Sequence, residues 1–328
     1  MNQFKRHRRL RASKEIRALV QETTIDINKL IYPLFVVEGE NIKEEIPSMP
    51  GVYHLSLDQL LLELQELRFL GLNKIILFGI PEVKDAFGSG AFQKDGIIQR
   101  ATRFIKENYP NFLVIADTCI CQYTTDGHCG LLQDGVIVND ESLEIHNQVA
   151  LSQAIAGVDI VAPSSMMDGF VSSIRATLDN HGFEHTPIMS YGIKYSSAFY
   201  GPFRDAAENA PSGGSNRDTY QMNPANRLEA LRELASDIKE GADFIIIKPA
   251  LAYLDIIRDI RNNSSLPIIA YQVSGEYSML KAAAINGWID EQQVVEETFL
   301  SMFRAGADAI ITYSAKDYAK WLHNNGAT

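Results

Sequence analysis

Eight short apolar segments, entered in two alternating ways, constrain this chain more than any other feature. Four follow a glycine, one further residue and then Asn or Asp: Gly71-Leu72-Asn73, Gly157-Val158-Asp159, Gly241-Ala242-Asp243 and Gly306-Ala307-Asp308. The other four follow proline: Pro33-Leu34-Phe35-Val36-Val37, then the runs after Pro110, Pro187 and Pro267 that reach Ala116, Tyr191 and Tyr271. Glycine there closes a preceding helix in the left-handed conformation, Asn or Asp turns the chain, and the apolar run forms a strand. The runs are nearly continuous in Ile, Leu and Val, as parallel strands covered on both faces require.

Helical stretches lie between them. Leu60, Leu61, Leu64 and Leu67 mark one face at helical spacing. Leu55-Ser56-Leu57-Asp58-Gln59 reads as a capping box with a hydrophobic staple at its start. Residues 226–240 and 290–305 read as helices in the same way. Eight strand–helix units over about 300 residues predict an α/β fold, a (β/α)8 TIM barrel. A doubly wound sheet is the alternative, but no Gly-x-Gly-x-x-Gly follows the first strand, and Gly88-Ser89-Gly90 is a lone glycine pair. Residues 1–30 stand apart as an N-terminal arm, basic at Lys5, Arg6, Arg8, Arg9 and Arg11, then apolar at Ile16, Leu19 and Val20. That apolar cluster favours a subunit contact over a solvated tail. Residues 31–328 form the barrel domain, with a lid at about 197–223.

A formal net charge of −11 argues against a nucleic-acid binder. No apolar run is long enough to span a bilayer, so no membrane partner is expected. The basic N-terminus has no apolar region after it, unlike a secretory signal. Cysteines that read as metal ligands suit a reducing compartment, and a cytoplasmic protein is expected.

Barrel active sites lie at the carboxyl ends of the strands. The third strand ends in Asp117, and all three cysteines, Cys119, Cys121 and Cys129, follow at once. A disulfide would leave one thiol over. Three thiolates suit a soft divalent ion, zinc above all, and three ligands without a fourth is the pattern of catalytic zinc. Buried, incidental cysteines are the alternative. His128 is a possible fourth ligand, but its neighbour Cys129 disfavours both binding one ion. Lys248 closes the sixth strand, and Lys194 lies after the fifth. Desolvation, or a second cation nearby, depresses a lysine, and a neutral lysine can form a Schiff base with a ketone. A lysine that leaves the barrel end or pairs with a carboxylate is the alternative. Residues 199–223 are polar, glycine-rich and long for a simple connection, as a lid would be. Arg204 and Arg217 within them suit a substrate carboxylate, or else sit on a solvated loop.

Five motifs then stand together: Asp117-Thr-Cys-Ile-Cys-Gln-Tyr-Thr-Thr-Asp-Gly-His-Cys-Gly130, Ser190-Tyr-Gly-Ile-Lys-Tyr-Ser-Ser197, Phe199-Tyr-Gly-Pro-Phe-Arg-Asp-Ala206, Ile247-Lys-Pro-Ala250 and Tyr271-Gln-Val-Ser-Gly-Glu-Tyr277. From about Arg8 to Tyr318 the chain resembles the porphobilinogen synthase (5-aminolevulinate dehydratase) family. The resemblance implies condensation of two 5-aminolevulinate molecules to porphobilinogen with loss of two waters, in a homo-octamer embraced by the arms. It implies a Schiff base at Lys248, service to the second substrate by Lys194, and a proton-accepting or orienting role for Asp117. Ser274 and Tyr313 would hold the first carboxylate; Arg204 and Arg217, with Gln221 nearby, the second. Zinc would sit on Cys119, Cys121 and Cys129, and an activating magnesium on Glu233. Without the resemblance, a class I aldolase-like Schiff-base lyase with structural zinc is the second reading. The chain departs from many relatives at Ser165 and Phe170, where they carry Asp and Arg, which puts any role there in doubt. Thr219 replaces a cysteine of some animal relatives, so a second zinc site of that kind is not expected.

Overall fold

Each apolar run forms a strand in the computed structural model, which describes residues 4–211, 216–324 and 326. Residues 1–3 of the expected arm, 212–215 of the expected lid, and 325, 327 and 328 of the barrel domain lie outside the described residues. The strands are β1 (Leu30–Val37), β2 (Lys74–Ile80), β3 (Leu113–Thr118), β4 (Ile160–Pro163), β5 (Met189–Lys194), β6 (Phe244–Lys248), β7 (Ile268–Gln272) and β8 (Ala309–Thr312). They pair in parallel in the order β4-β3-β2-β1-β8-β7-β6-β5. A parallel bridge between Val161 and Ile188 joins the two ends into a barrel.

Side chains alternate between two apolar clusters, as the two-residue period of a strand dictates. Ile76, Phe78, Ile115, Ile246, Ile269 and Ile311 belong to the inner cluster. Ile75, Leu77, Val114, Ile245, Ile268 and Ile310 belong to the outer one, with helix residues such as Leu60, Leu64 and Phe299. Burying each such side chain contributes about 1.5–3 kcal/mol before chain entropy is counted.

The two kinds of strand start have a structural reason. Asp159 accepts the backbone N–H of Val114 at 2.6 Å, Asp243 that of Ile188 at 2.8 Å, and Asp308 that of Ile268 at 2.8 Å. Each aspartate therefore fastens its own strand to the start of the preceding, proline-led one. Gly157 and Gly241 close their helices with φ of 95° and 98°, a conformation that glycine adopts without strain.

The capping box is not formed. Ser56 does precede the Leu57–Phe69 helix, but its hydroxyl donates to Asp58 at 2.6 Å and accepts from the Ile42 N–H at 2.9 Å. A tertiary contact with the Ile42 segment takes the place of the local cap. Two small antiparallel pairs escape the eightfold pattern, Lys43–Glu45 with Tyr53–Leu55, and Leu131–Gln133 with Val136–Val138. The arm carries a 3-10 turn (His7–Arg11) and a helix (Lys14–Leu19) that bury no residue. Leu19 is 85% exposed, so the arm has no core of its own in a single chain. No helix among the described residues is long and apolar enough to cross a membrane.

Candidate active site

Lys248 is the last residue of β6 and pairs in register with Lys194, the last of β5. Both are buried. Four aromatic rings surround the Lys248 Nζ: Tyr271 at 4.4 Å, Phe203 at 4.9 Å, and Tyr191 and Tyr200 at 5.2 Å. Burial, and then the facing Lys194, push the Lys248 amine down to about 7. The Lys194 ammonium donates to the backbone carbonyl of Ser164 at 2.5 Å. Asp117, at the end of β3, accepts from Gln122 at 3.2 Å, and burial raises its carboxyl above the usual range. The two lysines, Asp117, Cys121 and Arg217 line one enclosed space of about 10 Å³, room for about one water molecule.

Beside them the three thiols converge. Their sulfurs all lie within 4.8 Å of one another, with Cys119 and Cys121 at 3.3 Å. Tetrahedral zinc–thiolate bonds of about 2.3 Å place sulfurs roughly 3.8 Å apart, so the cluster is sized for such an ion. Hydrogen bonds from Cys119 and Cys121 hold the Cys129 thiol well below its ordinary value, which favours a thiolate. Asn209 donates to the Cys121 sulfur at 3.1 Å. His146 hydrogen-bonds the Cys129 carbonyl at 2.8 Å, fixing the backbone that presents the third sulfur. His128 turns instead to the Tyr220 hydroxyl, with 3.1 Å between Nδ1 and the oxygen.

Tyr200, Phe203 and Arg217, from the segment expected to be a lid, line this space. Arg217 is buried and donates to the carbonyls of Gly127 at 2.8 Å and Asn209 at 2.9 Å. Its Nε has no hydrogen-bond partner among the described residues. Ser274 accepts the Phe203 N–H at 2.9 Å, bracing the short Gly201–Ala206 helix whose Phe203 ring covers Lys248. Arg204 is half-buried on that helix and does not line the enclosed space. Tyr313 lies inside the barrel, 3.2 Å from the Tyr271 hydroxyl. Gln221 is buried, and its Nε2 has no hydrogen-bond partner among the described residues. It faces a second cavity of about 770 Å³ that Asp168, Glu229 and Glu233 also line. Tyr220 lines that cavity too and packs against the cysteines, so the large cavity adjoins the closed one.

Residues 4–321 match the family model described as delta-aminolevulinic acid dehydratase. The chain belongs to that family. It is 61% identical to the delta-aminolevulinic acid dehydratase of Halalkalibacterium halodurans, over 98% of this chain and 97% of that one. With the Bacillus subtilis enzyme of the same name, identity is 60% over 97% and 98% of the two chains. The fold matches the Toxoplasma gondii enzyme, solved with its reaction product porphobilinogen, at a TM-score of 0.96 and 45% identity, covering 98% of this chain and 92% of that one.

The barrel thus brings the two lysines, Asp117, the cysteines and Arg217 into one place, keeps Ser274 and Tyr313 at neighbouring strand ends, and leaves Arg204, Gln221 and Glu233 outside the enclosed space. Sequence reading missed the aromatic box around Lys248, and with it the part played by Gln122, Ser164 and Asn209. Its legible signal was the pair Tyr191 and Tyr271, which close the apolar runs after Pro187 and Pro267.

Proposed function

We propose that this chain condenses two molecules of 5-aminolevulinate to porphobilinogen with loss of two waters, in the synthesis of tetrapyrroles. The observation that carries the reading is a depressed, aromatic-boxed lysine beside a second lysine and a three-sulfur cradle in one enclosed space.

The neutral Lys248 amine attacks the ketone of the first substrate. A carbon–nitrogen bond forms, the carbonyl oxygen leaves as water, and an imine remains. Ser274 and Tyr313, at the ends of β7 and β8, take that substrate's carboxylate. Asp117 lines the same space as the lysines, its carboxyl raised by burial, and serves there as a proton acceptor or an orienting group. Lys194 serves the second substrate, whose carboxylate goes to Arg217 and Arg204 with Gln221 beside them. The Arg217 Nε and Gln221 Nε2, without partners among the described residues, are donors for such a group. The enclosed space holds neither substrate, so the lid opens at the Phe203–Ser274 bond to admit them and closes to exclude water.

Cys119, Cys121 and Cys129 hold zinc, which supplies Lewis acidity toward the second substrate when bound. Glu233 is the magnesium ligand, outside the enclosed space that holds the lysines. Burial raises its carboxyl, and the nearby acids Asp168 and Glu229 raise it further, so a hard cation there relieves the repulsion. The exposed apolar residues of the arm, Leu10, Leu19 and Val20, are covered by a neighbouring subunit in a homo-octamer. Residues 1–30 are then an assembly arm, and 31–328 the catalytic domain. Three free thiols suit the reducing cytoplasm.

Purified protein incubated with 5-aminolevulinate tests this reading. Pyrrole product should form, should stop when a chelator strips the metal, and should return with zinc. Absence of pyrrole from the zinc-loaded protein would overturn it.

A further inference from the structure

The strand that carries Lys194 has an irregularity that decides which way this lysine faces. Met189 and Tyr191 belong to the apolar cluster inside the barrel. Residues an odd number of positions apart in a regular strand point to opposite faces. Lys194 lies five beyond Met189 and three beyond Tyr191, so regular alternation would turn it out among the helices. It lines the enclosed space with Lys248 instead. The register with β6 accounts for this. Ser190 pairs with Ile245, Ile193 with Ile247 and Lys194 with Lys248, and the register shifts between Ile245 and Ile247. Ile246 alone therefore stands opposite both Tyr191 and Gly192, a β-bulge. Beyond it Ile193 joins the outer cluster, and Lys194 comes inside.

The bulge is braced from outside by the helix Glu229–Glu240. Its Asp237 is 3% exposed and accepts the Ser190 hydroxyl at 2.5 Å. A Cβ built on Gly192 would lie 1.8 Å from the Asp237 Oδ2. The carboxylate thus fills the space that glycine leaves, and any side chain at position 192 would have to push it off Ser190. Filling a strand–helix gap with a buried carboxylate costs more than filling it with a methyl group, so packing alone does not account for it. The Ser190 bond fixes where the carboxylate sits, and the carboxylate then fixes the bulged backbone two residues later.

We infer that Asp237 is a positioning residue: by its contacts with Ser190 and Gly192 it holds the β5 bulge and keeps Lys194 turned into the barrel beside Lys248. This rests on the reading of Lys194 as the group that serves the second substrate.

Four single variants and one double variant test it: Gly192→Ala, Asp237→Ala, Asp237→Asn, Lys194→Met and Gly192→Ala with Asp237→Ala. Two quantities are read for each, kcat for pyrrole formation and the extent of borohydride trapping of 5-aminolevulinate on Lys248. Gly192→Ala should lower kcat about 10²-fold, the usual effect of misplacing a reacting group by about 1 Å. Trapping on Lys248, carried to completion so that the extent and not the rate is compared, should stay at the wild-type extent, because β6 keeps its geometry while the loss of a facing charge slows only the rate. The double variant, with room restored, should regain about tenfold over Gly192→Ala. Asp237→Asn, which keeps the shape and the acceptor, should stay within about threefold of wild type, while Asp237→Ala falls about tenfold or more. Wild-type kcat in Gly192→Ala or Asp237→Ala, or trapping that falls in step with kcat, would overturn the inference. So would an Asp237→Asn as impaired as Asp237→Ala. Should Gly192→Ala fail to fold, the two Asp237 variants decide the same point. Full activity in Lys194→Met would instead overturn the reading of Lys194 itself, whereas an inactive Lys194→Met beside a fully active Asp237→Ala would overturn this inference alone.

Discussion

Replacing Lys194 by methionine shows how much of the Lys248 reactivity comes from a facing charge. Burial comes first among the causes that bring the Lys248 amine from 10.5 to about 7, and Lys194 second. At pH 7 an amine of the higher value is neutral in roughly one molecule in 3,000, and one of the lower value in about half. The site therefore raises the population of the neutral amine about 10³-fold, equivalent to about 4 kcal/mol. Lys194→Met removes the like charge and keeps the burial, so the midpoint should rise above about 7 and remain below that of an exposed lysine. The assay is the rate at which 5-aminolevulinate and borohydride modify the Lys248 peptide, read by mass spectrometry between about pH 5 and 10. Only the neutral amine has a free lone pair, so the rate should climb as pH rises through the midpoint. A wild-type midpoint near that of free lysine would refute the depressed amine. A midpoint unmoved in Lys194→Met would refute the like-charge contribution.

Cys129→Ala should release zinc, measured by elemental analysis, and lose at least about 10²-fold in kcat with it; a variant that keeps full turnover without metal would contradict the zinc reading. Removing residues 1–30 should give a smaller particle by light scattering, and an unchanged octamer would deprive the arm of its role. Glu233→Ala should abolish stimulation by magnesium and spare basal turnover, and persistent stimulation would place the ion elsewhere. Glu276 accepts the N–H groups of Val273 and Leu251, and burial pushes its carboxyl up to about 7. Because that value lies above the unfolded one, its stabilisation is complete below about pH 4.3 and is lost as pH rises through about 7. Glu276→Gln should remove this slope, worth at most about 3 kcal/mol, so wild type should lose more urea resistance than the variant between about pH 5 and 8. Equal losses would contradict the raised carboxyl.

The eight strands were legible because each is a continuous apolar run with its own entrance signal. The aspartates read as turn residues proved to reach the preceding strand as well, a pairing that no single segment contains. Local signals failed where a tertiary partner took the same atoms. Ser56 has the spacing of a helix cap, yet its hydroxyl serves Ile42 and Asp58. The site was legible where chemistry is concentrated in rare residue types, as in Cys119, Cys121, Cys129 and a lysine ending an apolar strand. Arg217 and Ser274 were expected to bind substrate, and the structure shows what else they do: one grips loop carbonyls, the other braces Phe203. The β5 bulge left no mark that could be read, since Ser190-Tyr191-Gly192 looks the same whether the strand is regular or not. Only the register against β6, and Asp237 reaching Ser190 from 47 residues further along the chain, reveal it.

The most direct measurement is a crystal of the zinc-loaded protein soaked with 5-aminolevulinate, with data collected at the zinc absorption edge. One anomalous peak should lie among the sulfurs of Cys119, Cys121 and Cys129, and density should run unbroken from the Lys248 Nζ into the substrate, with the Lys194 Nζ facing the same space. A peak bound elsewhere, or a substrate joined to neither lysine, would contradict the account.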